Sequence, residues 1–297
     1  MSLGVDLIPP KTCTYNCLYC QLGSTKNKTL VRKPYVETHE VMEELRRVLR
    51  KSDPDAVTLA GSGEPTLHSE IGEVIDQIKS ITETRIALLT NGSLFWEDEV
   101  RQKVLHADII MPTLSSASEE TFRLIHRPAH GLDLARVVDG LRKLRKDYEG
   151  RLWLEVVLLA GINDSERELE GLRTLIQQLR PDRIQLNTVV RPPADARAMP
   201  VSRDRLDSIK AFFGRSAQVI ADVSPAGKRG GEGGVADALM DMVRRRPLRS
   251  VDIAKALGIS IEDAQRLVKG LLMKGNIISQ EHFGEIYYRS HEKDVRE

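Results

Sequence analysis

Residues 11–20 read KTCTYNCLYC and contain the only cysteines of the chain, Cys13, Cys17 and Cys20. Three thiolates on one short loop can bind three irons of a [4Fe–4S] cube and leave the fourth iron without a protein ligand. No further cysteine is present to close the cube. The spacing Cys-x3-Cys-x2-Cys therefore predicts a cluster with one open iron, which can bind and activate a small molecule.

Other uses of three cysteines fit this sequence less well. A disulfide framework needs an even number of cysteines, and the N-terminus does not resemble a secretory signal. Structural zinc usually takes four Cys or His ligands. Here the fourth ligand would be a histidine such as His39 or His68, neither of which stands at finger-like spacing. A zinc site therefore remains the alternative to an iron–sulfur cluster.

The composition bears on whether the chain binds nucleic acid or a membrane. The 297 residues are 41% hydrophobic and 29% charged, and the formal net charge of +1 does not by itself indicate a nucleic-acid partner. No apolar run approaches the ~20 residues that are needed to span a bilayer. Reduced cysteines without an export signal predict a cytoplasmic protein that does not associate with membranes. An exposed open cluster is sensitive to oxygen, which indicates an anaerobic setting.

Short aliphatic runs alternate with helical patterns through the first 223 residues. The six predicted strands are Leu3–Ile8, Ala56–Ala60, Arg85–Thr90, Ala107–Pro112, Leu152–Leu158 and Arg183–Val189. Between them, apolar residues recur at helical spacing in 41–49, 71–81, 141–144 and 169–179. This alternation predicts an α/β fold with a parallel sheet. We expect a partial (β/α)6 TIM-like barrel, with its chemistry at the C-terminal ends of the strands; a doubly wound open sheet is the alternative.

The composition changes after residue 223. Residues 224–234 read SPAGKRGGEGG, and this polar, glycine-rich stretch is predicted to be a linker. It lacks the Gly-Lys-Ser/Thr ending of a phosphate-binding P-loop. We therefore predict a barrel domain over 1–223 and a small second domain over 235–297.

The second domain shows the element order of a winged helix. Three helices and then two strands are predicted: Val235–Arg245, Ser250–Leu257, Ile261–Met273, Ile277–Gln280 and Glu285–Arg289. Ser250 is expected to be the N-cap of the second helix. Gly258 and Gly275 are expected to end the second and third helices, and Phe283 and Gly284 to join the strands.

Beyond the cysteines, several segments resemble the radical S-adenosylmethionine (SAM) superfamily in order and spacing, over about residues 3–223. They follow successive strands and read GSGEP at 61–65, TNG at 90–92, PTLSS at 112–116 and LNT at 186–188. The first is similar to the family's Gly-Gly-Glu turn, with Ser62 in place of a glycine. In the third, Ser115 takes the place of an aspartate. Tyr19, directly before the third cysteine, matches an aromatic position of the family.

The resemblance implies which residues contact SAM. Tyr19 would pack by the adenine, and Asn187 would reach it. The turn 61–65 would hold the methionine portion, with a carboxyl or carbonyl group accepting its ammonium. Thr113 and Ser115 would make polar contacts to the ribose or the carboxylate. The complete predicted set of SAM-binding residues is Tyr19, Gly61, Ser62, Gly63, Glu64, Pro65, Asn91, Thr113, Ser115 and Asn187.

Two further arginines stand out near these segments. Arg127 follows a family-like stretch that begins at Glu119 and could pair with a carboxylate or lie solvated at a helix end. Arg191 begins the stretch RPPA, which we expect either to contact the substrate or to form a structural loop. None of the seven histidines is expected to be catalytic, and no catalytic side chain is assigned.

The resemblance also implies the reaction. SAM would chelate the open iron through its amino and carboxylate groups, and an external donor such as flavodoxin or ferredoxin would supply one electron. Reductive cleavage of the sulfonium would give a 5′-deoxyadenosyl radical that abstracts hydrogen from a substrate. The protein would position the reactants, tune the cluster and exclude solvent.

Within the superfamily, the chain looks closest to small Fe–S oxidoreductases related to the wyosine-forming tRNA enzymes, without the cysteines of a second cluster. A glycyl-radical activase is a narrower alternative. A third alternative is a regulator whose cluster senses redox state and whose winged helix reads DNA. The SAM-binding turn and the repeated βα units favour an enzyme.

The winged helix could bind RNA, a peptide or another protein. Residues 235–297 contain 11 Lys or Arg and 10 Asp or Glu, which is not the strongly basic footprint of a nucleic-acid module. The three consecutive arginines 244–246 still allow RNA as the partner, and a peptide or protein is the other candidate.

Overall fold

The computed structural model describes residues 2–221 and 235–291. Its largest sheet has seven parallel strands that follow one another in chain order. They are β1 Ser2–Val5, β4 Ala56–Leu59, β5 Arg85–Thr90, β6 Ile109–Pro112, β7 Arg151–Leu158, β8 Arg183–Thr188 and β9 Ala217–Val219. The two numbers skipped in this series belong to a small parallel pair, β2 Thr12–Cys13 and β3 Asn27–Lys28. The sheet is open between β1 and β9, which confirms the partial barrel.

Helices connect the strands and cover the outside of the sheet. They are α1 Thr38–Leu49, α2 Ile71–Ile81, α3 Asp98–Val104, α4 Glu119–His126, α5 Leu134–Asp147, α6 Glu166–Leu179 and α7 Arg203–Phe213. Several begin at a side-chain cap, as where Ser165 accepts from the backbone N–H of Glu168 and Asp133 from that of Arg136. Such caps satisfy backbone donors that have no partner inside the helix.

The core lies between the sheet and these helices. In α2 the residues at helical spacing, Ile71, Val74, Ile75 and Ile78, are completely buried. They pack in one cluster with alternate residues of the strands, such as Val57 and Leu88. Burial of such aliphatic side chains contributes roughly 1.5–3 kcal/mol each. The period of 3.6 in the helices and of 2 in the strands therefore decides which faces meet.

All six predicted strands and all four predicted helical segments of the barrel are present. The strand over 85–90 and the helix over 71–81 have the predicted bounds. The three-residue strand β9 and the helices α3, α4 and α7 are present in addition to the predicted elements. Their apolar patterns are short or interrupted by charged residues.

The predicted elements after residue 234 are also found. They are α8 Val235–Arg245, α9 Ser250–Leu257, α10 Ile261–Met273, β10 Ile277–His282 and β11 Glu285–Ser290. The two strands pair antiparallel and are joined through Phe283 and Gly284, both in the left-handed region at φ 47° and 75°. A second hydrophobic cluster, which includes Leu239, Ile253 and Val268, holds these elements together. We call residues 235–291 the C-terminal module.

One detail of the module differs from the prediction. Ser250 is the first residue of α9, and the N-cap is Arg249. The backbone N–H of Arg249 donates to Oδ2 of Asp252 at 3.2 Å. This hydrogen bond makes Arg249 the N-cap, one position before the predicted one. Gly258 ends the helix at φ 67°, as predicted.

The predicted linker 224–234 lies outside the described residues. In the ranges 2–221 and 235–291, no helix is long and apolar enough to cross a membrane.

Candidate active site

The loop that carries the cysteines is held by backbone hydrogen bonds to two other segments. On one side, the N–H groups of Asn16 and Leu18 donate to the carbonyls of His126 and Ile125 at the end of α4, at 2.9 and 2.8 Å. On the other side, the N–H of Glu64 donates to the carbonyl of Thr12 at 3.2 Å. The loop therefore has a fixed shape before any ligand binds.

The three cysteines face one another across this loop. The charges of Cys13 and Cys20 both raise the pKa of Cys17, after burial, which has the largest effect. Burial also raises the pKa of Cys13 to about 12, with the carboxylate of Glu64 adding to it. Each cysteine nevertheless stays partly exposed. Closely spaced sulfurs in apolar surroundings are stabilised as thiolates by a cationic iron centre.

Polar groups aim at the sulfurs from outside the loop. Nδ2 of Asn91 donates to Sγ of Cys13 at 3.5 Å, and Nδ1 of His126 lies 3.4 Å from Sγ of Cys17. Within the loop, Tyr19 lies close enough to Cys17 for the charge of that thiolate to raise the pKa of Tyr19, after burial, which has the largest effect. Hydrogen bonds to the sulfur ligands are one means by which proteins set the potential of an iron–sulfur cluster.

The residues present fit a [4Fe–4S] cluster. The hydroxyl of Tyr15 is buried without a hydrogen-bond partner, and burial followed by the charges of Cys17, Glu64 and Cys13 raises the pKa of Tyr15, so a polar atom lies unpaired near the cysteines. In the described part of the chain, no three His, Cys, Asp or Glu side chains are grouped as ligands of a single metal ion. The cysteines of a cube bind separate irons, so Cys13, Cys17 and Cys20 fit that role.

The turn 61–65 packs directly beneath the cysteine loop. A Cβ atom on Gly63 would lie 1.9 Å from the carbonyl oxygen of Thr12, and one on Gly61, at φ 145°, would lie 2.3 Å from the carboxyl carbon of Asp6. The backbone N–H of Ser62 donates to Oδ2 of Asp6 at 2.9 Å. Glycine at 63 is therefore required by the approach of the cysteine loop, whatever else binds there.

Glu64 lies inside the protein, where its carboxylate accepts several hydrogen bonds. Thr66 and Thr90 donate to Oε1 through their hydroxyls at 2.6 Å, and the backbone N–H of Asn91 donates to Oε2 at 2.7 Å. Burial raises the pKa of Glu64, and these donors oppose that effect. The side chain thus joins the turn to the end of β5. Ser62 is buried as well, so within the turn only Gly61 and Gly63 have surface that can face a ligand.

Glu155 occupies the middle of β7 and joins the residues predicted on β6 and β8. Its Oε2 accepts from Oγ1 of Thr113 at 2.9 Å, and its Oε1 accepts from Nδ2 of Asn187 at 3.0 Å. All three side chains are partly exposed and come from neighbouring parallel strands. The charge of Glu155 also raises the pKa of Tyr19. This polar group therefore lies on the same side of the sheet as the cysteine loop.

Ser115 and Pro65 do not share this exposure. Oγ of Ser115 accepts from the N–H of Val157 at 2.9 Å, and the residue is completely buried. Pro65 is buried in a short 3-10 turn, 65–67. In this arrangement the side chain of Ser115 stabilises the strands and has no surface open to a ligand, whereas Tyr19, Asn91, Thr113 and Asn187 are partly exposed.

The two arginines singled out in the sequence both lie near the cysteine loop. Arg127 is paired with Asp195, and the N–H of Asp195 donates to the carbonyl of Leu18 at 3.1 Å. Nη1 of Arg191 donates to Oε1 of Gln21 at 3.3 Å. Arg127 is therefore partnered by a carboxylate of the protein, while Arg191 contacts the residue after Cys20.

Sequence reasoning missed three residues of this site: Asp6, His126 and Glu155. Glu155 carried a detectable signal, since a lone carboxylate stands between apolar residues in a predicted strand. Asp6 carried none, because its contact with Ser62 depends on segments far apart in the chain. His126 lies in the family-like stretch that begins at Glu119, but its contact with Cys17 joins distant segments and could not be predicted.

Comparison with known proteins agrees with this geometry. The model of the family described as radical SAM superfamily matches residues 7–170. A UPF0026 protein of Helicobacter pylori is 31% identical over 252 residues, which are 83% of this chain and 80% of that protein. A protein named GTPase Obg from Brachyspira hyodysenteriae is 35% identical over 274 residues, which are 92% of this chain. The match spans only 40% of that protein, so its name describes a longer molecule.

Solved structures share the fold. A radical SAM methyltransferase from Sphaerobacter thermophilus superposes with a TM-score of 0.58 at 17% identity, over 75% of this chain and 67% of that one. TYW1 with a lysine-pyruvate adduct bound gives a TM-score of 0.52 at 18% identity, over 68% of this chain and 69% of that one. At these identities the likeness shows the fold alone.

The matched segment covers more than half of the chain and includes all three cysteines, the turn 61–65 and Asn91. The chain therefore belongs to the radical SAM superfamily, whose enzymes use a [4Fe–4S] cluster and SAM.

Proposed function

We propose that the protein cleaves SAM reductively at a single [4Fe–4S] cluster held by Cys13, Cys17 and Cys20, and uses the product to abstract hydrogen from a substrate. When bound, the cluster would supply the one electron that splits the C5′–S bond of SAM into methionine and a 5′-deoxyadenosyl group. Transfer of a hydrogen atom from the substrate to that group would give 5′-deoxyadenosine and a substrate radical.

The position of Asn91 is the observation that best supports this proposal. Its side-chain Nδ2 donates to Thr14 at 2.7 Å and to Cys13 at 3.5 Å, and its backbone N–H donates to Glu64. One residue thus connects the cysteine loop, the turn 61–65 and the end of β5. A ligand that bridges the open iron and this turn would be oriented by contacts that are already fixed.

The other side chains have roles in binding SAM. The backbone of Gly61 and Gly63, which are exposed and partly exposed, would accept the ammonium group, and Thr113, Glu155 and Asn187 would bind the ribose and adenine end. Tyr19, which neighbours both Cys17 and Glu155, would pack between the two ends of the cofactor. These contacts fix the C5′–S bond relative to the cluster and keep water away from the radical.

The substrate would be an RNA or a peptide that the C-terminal module helps to bind. An external flavodoxin or ferredoxin would supply the electron. We expect the enzyme to act in the cytoplasm, where the reducing environment keeps cysteines as thiols.

The test is anaerobic reconstitution with iron and sulfide, followed by low-temperature EPR of the reduced protein with and without SAM. We expect a [4Fe–4S]⁺ signal that changes on adding SAM, and 5′-deoxyadenosine in the presence of dithionite. Cys20→Ser is the control that should give neither. A cluster signal indifferent to SAM would instead favour the redox-sensing regulator, and a protein that binds only zinc would contradict the proposal.

A further inference from the structure

The C-terminal module contacts the barrel next to Arg191. Oη of Tyr287, on β11, donates to the carbonyl of Val190 at 2.7 Å. The following residue, Arg191, donates to Gln21, directly after Cys20. The module is therefore one residue away from a side chain that touches the cysteine loop.

Arginines of the module surround this contact. The charges of Arg246 and Arg249 act on Arg191, whose pKa is lowered first by burial and then by Arg246. Arg249 lies over the ring of Tyr287, with its Cζ 5.9 Å from the ring centroid. Arg249 thus lies at the contact between module and barrel, and the charge of Arg246 reaches Arg191 there.

Only one of the three is paired with carboxylates. Arg249 donates to both oxygens of Asp252, at 3.2 and 3.3 Å, and its Nη1 lies 3.9 Å from Glu285. In the ranges that the structure describes, neither Arg191 nor Arg246 forms an ion pair. Arg191 is half-buried and Arg246 is exposed. The carboxylate of Asp252 also acts on Arg191, but both of its oxygens are bonded to Arg249. A bound anion would stabilise the two remaining like charges, one of which is partly desolvated.

We propose that Arg191 and Arg246, here named the junction arginines, bind a phosphate group of the substrate, with Arg249 holding the adjoining helix end in place. The inference rests on the proposed function, because it identifies the chemical class of the molecule that reaches the cluster.

Phosphate fits this site better than a carboxylate does. A terminal phosphate carries about −1.5 to −2 charges at neutral pH, close to the combined charge of the two junction arginines. Guanidinium groups bind phosphate through two parallel hydrogen bonds, which lysine cannot form. Through Gln21, a phosphate at Arg191 would place the rest of the molecule beside the cysteine loop. The source of the phosphate is either a free nucleotide or an RNA strand.

The test measures binding by the full-length reconstituted protein, without reductant, so that SAM cleavage is not required. The probe is a single-stranded RNA of mixed sequence with a 5′-terminal phosphate and a 3′-fluorescein label, and its binding is followed by fluorescence anisotropy. Nucleoside 5′-monophosphates and a glutamate-rich peptide serve as competitors. We expect Arg191→Ala and Arg246→Ala each to weaken RNA binding about tenfold or more, because each removes a charged hydrogen-bond donor.

Arg244→Ala is the matched control. Arg244 lies on the same helix and forms an ion pair with Asp241 at 3.4 Å, and its removal should change affinity by less than about twofold. Because Arg191 is half-buried, its variant could unfold. Arg246 is exposed, so Arg246→Ala keeps the proposal testable. Arg191→Lys, which retains charge without the planar fork, should bind more weakly than the unchanged protein.

The outcomes separate the possibilities. Competition by the monophosphate at the same arginines would support the site and identify a free nucleotide, whereas RNA binding without such competition would support it and identify a strand. Equal loss in Arg244→Ala, no loss in Arg246→Ala, or displacement by the acidic peptide alone would overturn the site. A protein that binds the probe through these arginines but does not cleave SAM would contradict the proposed function and leave the phosphate site standing.

Discussion

Nδ1 of His126 lies 3.4 Å from Sγ of Cys17, within hydrogen-bond distance for sulfur. The ring of His126 is buried between Tyr15 and Phe122, with centroids 5.0 and 5.3 Å away. Burial lowers the pKa of His126 to about 3, so the ring is neutral at physiological pH. A neutral ring that carries its proton on Nδ1 donates to the thiolate without adding a charge.

Replacing His126 by Phe keeps an aromatic ring in this packing but removes the donor. The reduced cluster carries more negative charge on its sulfurs and is stabilised more by the hydrogen bond. We therefore expect the reduction potential to fall by about 50 mV, the equivalent of one hydrogen bond for a one-electron couple. An EPR-monitored redox titration measures this shift. His106→Gln, at an exposed site, is the control, and an unchanged potential in His126→Phe would show that the contact has no electronic role.

Each cysteine is expected to be indispensable. Cys13→Ala, Cys17→Ala and Cys20→Ala each leave an iron without its thiolate, and we expect SAM cleavage to fall by at least about a hundredfold, since an open cluster needs all three ligands. Iron content and 5′-deoxyadenosine are measured on the same reconstituted sample. If any of the three variants still cleaved SAM, the assignment of these cysteines as cluster ligands would be wrong.

Glu155→Gln tests the polar group shared by three strands. The substitution preserves shape but turns one acceptor into an NH2 group that faces Thr113 or Asn187, both donors to Glu155. We expect SAM to bind about tenfold more weakly, because a donor is left without an acceptor. Anaerobic equilibrium dialysis with SAM gives the dissociation constant. Glu149→Gln, at an exposed residue, should not change it, and equal affinity in both variants would remove Glu155 from the cofactor site.

Gly63→Ala tests the packing of the turn under the cysteine loop. The new Cβ would lie 1.9 Å from the Thr12 carbonyl oxygen, so one of the two backbones must move. We expect the free energy of unfolding to fall by about 3 kcal/mol and the iron content after reconstitution to fall with it. Chemical denaturation measures the first quantity. Gly4→Ala has no heavy atom within 4 Å of its Cβ and should leave both unchanged; similar stability in the two variants would contradict the crowding.

The sequence predicts the barrel well because its signals are local. Ile71, Val74, Ile75 and Ile78 repeat at helical spacing, and they are the residues that the structure buries. The three-residue strand β9 has too short a pattern to be detected. Ser250 is not the N-cap, because the side chain of Asp252 accepts a hydrogen bond from the N–H of Arg249 and the helix is capped there. The residue types alone do not show which of two neighbouring residues caps a helix.

The site is predicted less completely than the fold. The cysteines and Asn91 were identified by spacing and by position after a strand, and the structure brings them together. Contacts such as that of His126 with Cys17, or of Tyr287 with Val190, join residues about a hundred positions apart, and no local pattern encodes them. Ser115 shows the converse: its place after a strand suggested a ligand contact, but its hydroxyl faces the core.

The open sheet has a consequence for the behaviour of the protein at high concentration. Among the described residues, a gap between β1 and β9 leaves two strand edges unpaired, and unpaired edges are templates for joining to other chains. Here those edges are four and three residues long. Edges this short offer few backbone groups for pairing with another chain. The barrel can therefore remain unclosed without presenting a long strand edge that promotes aggregation.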